Sequence, residues 1–334
     1  MYPDPSYPGQ QPGDPAAGGV PTGGYLPPPQ FGPQQPADPL ISPDYSGWWN
    51  RGVAIAKAGW RPLAGLQVVG VVLALLVQAP VAVFIALASD DLENSFTTTD
   101  ASGNPDLTPF IVVMSLTVGA ALLAVLLTTV VTLASVYIGV SIAVGVPPRL
   151  GDAVRMAVRR VFPLIGWQLL AIPIYLVAVC LCVLPIFYVV AVFAVLPVVV
   201  AVERTNAISR CFTLFHRDFG AAAGRIATIL GITFGVGVVG ALIGGGIEAA
   251  TGVSVNGNAG IIAGSIVSTL LTSVISGAVA VLLAPLTLTA YADLRARVEP
   301  TNAMTIAQQL GILPPDSPWS SYPTGTPEPP TVPA

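Results

Sequence analysis

The chain has 334 residues, of which 53% are hydrophobic and only 9% are charged, and its formal net charge is −4. Soluble domains carry about a quarter charged residues, so this chain cannot cover an ordinary globular surface with polar side chains. The composition therefore excludes a soluble protein over most of the length. It predicts an all-α integral membrane protein whose solvent is lipid.

Residues 1–46 differ in composition from the rest of the chain, because they include 13 Pro and many Gly but neither Lys nor Arg. They lack the basic and apolar regions of a signal peptide, and they have too few apolar side chains to build a core. We predict a disordered cytoplasmic tail here and a second Pro-rich disordered tail at 313–334. The tails are interpreted as solvated tethers. The alternative is that they dock a partner protein, with Tyr2, Tyr7 and Tyr25 as anchors.

Six apolar segments fill the membrane domain, which we place at residues 47–312. A helix rises about 1.5 Å per residue, so about 20 residues cross a hydrocarbon core that is about 30 Å thick. Residues 162–202 are about twice that length, and Leu184 and Pro185 are the predicted turn that divides them. The second segment contains no turn signal and is predicted to be one long helix. The predicted spans are 63–88, 109–146, 162–184, 186–202, 221–249 and 260–291.

The positive charges of the chain fall on one side of these spans. All 13 Lys and Arg lie in four clusters, and the intervening polar loops have none. Because cytoplasmic loops carry an excess of Lys and Arg, this pattern predicts six spans with both termini in the cytoplasm. The clusters suit the anionic headgroups of a cytoplasmic leaflet better than nucleic acid. The four clusters are Arg51, Lys57 and Arg61; Arg149, Arg155, Arg159 and Arg160; Arg204, Arg210, Arg217 and Arg225; and Arg295 and Arg297.

Three segments that mix basic and apolar residues precede spans 1, 3 and 5. They lie at about 47–63, 151–164 and 206–221, and each contains an aromatic residue near its end. We predict three cytoplasmic interfacial amphipathic helices, each leading into a two-span hairpin, as a weak threefold repeat. The residues predicted to contact membrane headgroups are Trp48, Trp49, Lys57, Trp60, Arg155, Arg159, Arg160, Arg210, His216 and Arg217.

Three segments together resemble a known bacterial membrane domain. They are the opening SGWWNRGVAIAKAGWRPL, the central VLPIFYVVAVFAVLPVVVAVERTNAISRCFTLFHRDF and the ending APLTLTAYADLRARVEP. From about residue 45 to 310, the chain is similar to the six-span domain that some bacteria fuse to a glycerophosphodiester phosphodiesterase and that many others carry alone. The resemblance implies a protein of the bacterial cytoplasmic membrane. It places Glu203, Tyr291, Asp293, Arg295 and Arg297 at characteristic positions of that domain.

The resemblance does not bring an enzyme with it, because the phosphodiesterase is a separate soluble barrel that is not expected in this chain. The chain has a single His, His216, beside Arg217 in a basic segment. A metal hydrolase needs several His, Asp or Glu ligands and a base. P-loop, dinucleotide-binding and HExxH patterns are also missing from the sequence. We therefore predict a non-enzymatic protein without metal or cofactor, in which Glu203 pairs locally with Arg204 or Arg210.

Two sets of small residues lie within the last two spans. Ser265, Ser268, Thr272 and Ser276 share one face of the sixth span by their spacing, and that face could line a polar groove. In the fifth span, Gly231 with Gly235 and Gly240 with Gly244 form two small-xxx-small pairs. Such pairs let helix backbones approach closely. The expected partner is a neighbouring helix of the same bundle, with a second copy of the chain as the alternative.

Two classes of function stay open on the sequence. The first is a non-enzymatic scaffold or accessory module for lipids or envelope proteins, supported by the missing catalytic groups, the absence of charge at the span centres and the Pro-rich tails. The second is a transporter or permease-like protein for a lipid or another amphipathic substrate, supported by the repeat, the Pro residues within spans and the hydroxyl face. Ion-coupled transporters usually show a buried acid or a broken helix at the midplane. The sequence shows no clear case of either, so we favour the first class.

Overall fold

The computed structural model describes residues 38–88, 107–181, 183–254 and 258–314. The described part is all-α and contains six helical segments that are long and apolar enough to span a membrane, as predicted. The fourth of these segments, Pro185–Val202, is made of two consecutive helices. The chain is therefore a multi-pass membrane protein. The predicted disorder at 1–37 and 315–334 lies outside the described residues, and so does the segment 89–106 between the first two spans. The helices are α1 Tyr45–Ala58, α2 Trp60–Leu87, α3 Thr108–Ala143, α4 Leu150–Leu181, α5 Val183–Phe193, α6 Leu196–Val202, α7 Ala207–Arg217, α8 Phe219–Ser254, α9 Asn258–Ala296 and α10 Ala303–Gln309.

The boundaries of two predicted elements are corrected by the structure. The predicted interfacial helix at 151–164 is not separate, because its residues form the first turns of α4. Pro163 lies inside α4 and does not end it, so the basic segment extends the third span. The predicted turn at Leu184 and Pro185 is also misplaced. The α5 helix already begins at Val183, so Pro185 lies in its first turn, where a missing N–H is tolerated.

The fourth span is broken in its middle, between α5 and α6. Pro197 cannot donate a hydrogen bond to the carbonyl of Phe193, and its ring crowds that carbonyl, so the helix stops there and restarts at Leu196. The broken span is also the most buried one. Of the residues in its apolar stretch, 56% are buried inside the bundle, whereas the corresponding share is at most 17% in each of the other five spans. Irregular backbone at membrane depth is tolerated where protein covers it, and this burial meets that condition.

The packed core of the described bundle lies at the end where the basic clusters are. The buried residues of α3 all fall in its C-terminal half, from Thr129 onward. Almost all of α6 and the last turns of α9 are buried beside them. The α9 helix packs on α8, α2 and α1, and α3 packs on α2 and α4. The opposite halves of the spans expose large apolar side chains such as Leu76, Leu122 and Leu242, which suits contact with lipid.

Residues 38–44 are fastened to this core by the buried Leu40 and Ser42, contrary to the predicted tail boundary at residue 46. We call them the N-terminal strap. Leu40 is 0% exposed, and an oxygen of Asp38 accepts a hydrogen bond from the Ala303 N–H at the start of α10. Asp44 caps α1 through the Gly47 N–H. Hydrogen bonds from the Ser46 hydroxyl, the Gly47 N–H and the Ser42 hydroxyl lower the pKa of Asp44.

Trp48 is not a membrane-interface residue, contrary to the prediction. It is 0% exposed, and its indole N–H donates to the carbonyl of Leu286 in α9. A fully buried ring cannot reach lipid headgroups, and it instead fastens α1 to the bundle. Its neighbours on the predicted interface differ, since Lys57 and Trp60 are exposed and Trp49 is half-buried.

Candidate functional site

Four polar residues stand at alternate positions at the end of α9: Tyr291, Asp293 and Arg295 in its last turns, and Arg297 in the turn that follows. Two residues along an α-helix turn through about 200°, so alternate side chains point to opposite sides. Tyr291 and Arg295 therefore share one face, and Asp293 and Arg297 share the other. Each face meets a different part of the bundle, and each builds an ion-pair network.

The first network lies on the Tyr291 face and is centred on Glu203, at the end of the fourth span. The Tyr291 hydroxyl donates to Glu203 Oε1 at 2.6 Å, and Arg210 Nε lies 2.7 Å from Glu203 Oε2. Arg295 joins it by contacting Glu203 at 3.7 Å and Glu299 at 2.5 Å. The predicted local pairing of Glu203 with Arg210 is confirmed. The network fastens α6, α7 and α9 together at the basic end.

The second network lies on the Asp293 face and is more buried. Arg225 of α8 contacts Asp293 at 2.5 Å, with side-chain exposures of 3% and 2%. Arg225 also donates to the carbonyl of Ala221 at 3.0 Å and to the strap carbonyls of Ser42 and Asp44. Arg297 pairs with Asp218 and donates to the carbonyl of Pro43. Buried charges are tolerated only when paired in this way, so both networks are read as structural.

A cavity of about 1170 Å³ opens at the same end of the bundle, and we call it the arginine groove. It runs beside the first turns of α4, from Arg149 to Pro163, which is about 21 Å along the helix axis. The end of α6, the end of α3 and the segment after α10 form its other sides. Its lining residues are Tyr137, Ser141, Val146, Pro147, Arg149, Asp152, Arg155, Met156, Arg159, Arg160, Pro163, Ala201, Arg204, Gln308, Gln309, Leu310, Gly311 and Ile312.

The turn that precedes the groove is set by a glycine. Gly145 follows α3 with a φ of 74°, a left-handed conformation that glycine adopts without strain. The N–H of Val146 then bonds back to the carbonyl of Ser141 at 2.9 Å, which closes the helix end. Pro147 and Pro148 cannot continue the helix, so the chain turns and brings Arg149 to the start of α4.

The five arginines of the groove differ from the arginines of the networks. Arg210, Arg225, Arg295 and Arg297 each pair with a carboxylate. In the part of the chain that the structure describes, no ion pair joins a groove arginine to a carboxylate. Among the described residues that line the groove, Asp152 is the one carboxylate, and it offsets the positive end of α4 from the first turn of that helix. The groove arginines are Arg149, Arg155, Arg159, Arg160 and Arg204.

Two features of this arrangement are unfavourable without an anion. Arg155 and Arg159 are four residues apart on α4, a spacing at which like charges repel. Arg160 is half-buried and lies within electrostatic range of Arg204 across the groove. An anion between these guanidinium groups would relieve both repulsions. The groove is therefore the described site best suited to a phosphate or another anion.

The predicted hydroxyl face of the sixth span does not line a groove at Ser268 and Thr272. Ser268 is buried, and a Cβ placed on Gly244 would lie 3.7 Å from Ser268 Cβ and 3.6 Å from Thr272 Cγ2. The Thr272 hydroxyl bonds back to the Ser268 carbonyl of its own helix. This face is the packing seam between α8 and α9. Ser265 is half-buried and Ser276 is exposed.

The two glycine pairs of the fifth span have different surroundings. Gly240 and Gly244 face Thr272 across the seam, so this pair lies against a neighbouring helix of the same bundle. Gly231 and Gly235 have open space where a Cβ would stand, so they do not pack on a described neighbouring helix.

The other predicted headgroup contacts differ in exposure. Arg217 is exposed, whereas the Arg210 side chain is only 16% exposed because it is held between Glu203 and Glu299. His216 is exposed, and its Nε2 lies 2.8 Å from the Tyr188 hydroxyl. Contact of His216 with lipid stays a prediction. Among the described residues, no group of three or more His, Cys, Asp or Glu side chains could hold a metal ion.

No family model, curated protein or solved structure matches the chain. The relation to the phosphodiesterase-linked membrane domain therefore stays a prediction. The function is therefore inferred from the helix bundle and its groove.

Sequence reasoning named only part of the groove. It placed Arg149 in one cluster with Arg155, Arg159 and Arg160, and predicted the last three as membrane-interface residues, but it did not join this cluster to Arg204. One signal could have done so. The third and fourth spans form a hairpin, so the start of one and the end of the other must lie side by side. The helix α10 and the groove wall that comes after it gave no clear signal, because they come from a short segment next to the Pro-rich tail.

Proposed function

We propose that this protein is a non-enzymatic membrane module that binds anionic lipid headgroups in the arginine groove. It would act as a scaffold or accessory subunit for lipids or envelope proteins in a bacterial cytoplasmic membrane. The observation that carries the proposal is the contrast between two sets of arginines at one end of one bundle. The network arginines are neutralised by the protein, and the five groove arginines are not.

The position of the groove supports a lipid as the source of the anion. The groove lies along the first turns of a membrane span, where its lining changes from arginine to Pro163 and other apolar residues. By the positive-inside rule this end faces the cytoplasm, where anionic lipids attract basic segments at about 1 kcal/mol per Lys or Arg. Both termini are then cytoplasmic. The Pro-rich tails would be free to bind a partner protein on that side.

A second candidate function is the transport of a lipid or another amphipathic substrate. One observation favours it: the fourth span is broken at Ala194 and Val195, and the same span ends at the groove with Ala201 and Arg204. Broken helices are a recurring feature of transporter binding sites. Against it, the break is covered by protein, and Ser268 and Thr272 of the hydroxyl face are packed in the α8–α9 seam.

Native mass spectrometry of the full chain in lipid discs tests the proposal. The discs contain phosphatidylcholine with a minor fraction of phosphatidylglycerol, and the bound lipids are identified after release. We expect retained lipid to be enriched in phosphatidylglycerol, and we expect the variant Arg160→Gln with Arg204→Gln to lose that enrichment. Arg61→Gln is the matched control, because Arg61 is exposed and lies outside the groove lining.

The outcomes of this experiment separate the candidates. Enrichment that survives in the groove variant would contradict binding at this site. Transport is tested with the same protein in vesicles by following a fluorescent lipid from one leaflet to the other. Faster movement than in protein-free vesicles would favour the transporter, and an unchanged rate would favour the scaffold.

A further inference from the structure

The charge of the arginine groove exceeds what one ordinary phospholipid can neutralise. Five arginines and one aspartate line it, which leaves four positive charges. A phosphodiester headgroup such as that of phosphatidylglycerol carries one negative charge. Binding one such lipid would leave most of the repulsion among the guanidinium groups in place.

The arginines are also spread along the groove. Arg149 and Arg160 lie on the α4 side of the groove and are eleven residues apart, which corresponds to about 16 Å along the helix axis. Arg204 approaches from the end of α6, on a different element of the same hairpin. A ligand that engages both sides needs several acceptor oxygens, because each guanidinium can present two parallel N–H donors to a phosphate. Phosphomonoester and diphosphate groups have more free oxygens than a diester.

We infer that the groove selects a lipid whose headgroup is a phosphomonoester or a diphosphate and carries two or more negative charges. This inference rests on the proposed function and narrows it to a lipid class. Pro163, Met156 and Ala201 lie where the acyl chains would begin.

The test compares three lipids that share the same acyl chains and differ in the headgroup. Phosphatidylglycerol, phosphatidic acid and diacylglycerol pyrophosphate are added one at a time to phosphatidylcholine discs that hold the full chain. Dissociation constants are measured by lipid titration with native mass spectrometry. A single additional charge engaged by one guanidinium corresponds to about a fivefold tighter complex. We expect at least that ratio between phosphatidic acid and phosphatidylglycerol, and a further increase for the diphosphate.

Variants test whether the groove arginines cause this preference for the more highly charged headgroups. Arg160→Gln with Arg204→Gln is expected to bring the three dissociation constants to within about twofold of one another, since each lost guanidinium removes about a fivefold factor for the higher charges. Arg61→Gln should keep the wild-type order. Size-exclusion chromatography confirms that each variant is folded and monodisperse before the titration.

Other results would overturn the inference in distinguishable ways. Equal affinity of the wild type for phosphatidylglycerol and phosphatidic acid would refute the selectivity and leave the proposed function standing. Failure of all three lipids to bind better than phosphatidylcholine would refute both. Inorganic pyrophosphate is the soluble probe. If it binds as tightly as the diphosphate lipid, the ligand is a soluble anion and the assignment to a lipid is wrong.

Discussion

The buried pair of Arg225 and Asp293 makes a quantitative prediction about stability. The change is Asp293→Asn, which removes the negative charge and keeps the shape. Arg225 is then left with a 3% exposed side chain and without the carboxylate that pairs with it. Its remaining hydrogen bonds are to carbonyl oxygens, and Asp44 and Asp218 act on it without forming an ion pair. Removing one partner of a buried pair costs about 3–5 kcal/mol. The remaining carbonyl contacts place the expected loss in the free energy of unfolding at the lower end, about 3 kcal/mol.

A double-mutant cycle separates the pair from other effects of the substitution. Arg225→Met removes the positive charge, and the combination with Asp293→Asn removes both charges. We expect the double variant to be less destabilised than the sum of the single variants by about 1–3 kcal/mol, as for other contacting pairs. Arg61→Met is the control for loss of an exposed arginine and should change stability by at most about 0.5 kcal/mol.

The assay is reversible unfolding of the full chain in mixed micelles, followed by far-ultraviolet circular dichroism. A decrease of less than about 1 kcal/mol in the free energy of unfolding of Asp293→Asn would refute the reasoning, because a buried guanidinium without a counter-charge should destabilise the fold by more than that. Additive effects of the two changes would equally show that the residues do not act as a pair.

Three further predictions concern the helix seam, the strap and the buried thiol. Gly244→Leu should destabilise the bundle by about 1–3 kcal/mol in the same unfolding assay, because the new side chain enters the α8–α9 seam. The matched control Gly235→Leu places its side chain in open space and should leave the stability unchanged. Leu40→Ala should cost about 2–5 kcal/mol, and no loss would place the strap outside the core. Burial raises the pKa of Cys211 from 9.0 to about 12, so iodoacetamide at pH 8 should label this thiol only after unfolding. Because Cys180 is exposed, labelling is assigned by peptide mapping, and label on Cys211 in the folded chain would contradict its burial. Because the raised pKa favours the protonated thiol in the fold, its contribution to stability is constant below about pH 9 and falls as the pH rises towards about 12.

The spans were predictable because their signal is strong and additive. A helix needs about 20 apolar residues to cross the membrane, and lipid demands continuous hydrogen bonding of the backbone. The long helix α3 followed directly from these rules. The break before Pro197 was harder to predict, because Pro is tolerated in many spans and only the surrounding packing decides whether it bends or ends a helix.

The errors came from short polar segments, where tertiary contacts decide the structure. The strap has the Pro-rich composition of a tail, yet Leu40 is buried and the Asp38 carboxylate caps another helix. Trp48 has the residue type of an interface anchor, but its N–H finds a carbonyl inside the bundle. The hydroxyl spacing of the sixth span predicts one face, and Ser268 and Thr272 of that face lie in the α8–α9 seam. Sequence spacing cannot tell whether such a face meets water, lipid or a neighbouring helix.

The central claim is that an anionic lipid occupies the arginine groove, and crosslinking from within the groove tests it most directly. A photoreactive amino acid replaces Met156, which lies in the groove lining, and in a second variant it replaces Val158, which is 50% exposed on α4 outside that lining. Both variants are irradiated in native membranes, and the adducts are identified by mass spectrometry. We expect adducts at position 156 to be enriched in anionic phospholipids relative to those at position 158. Adducts of the same composition at both positions, or no lipid at position 156, would contradict it.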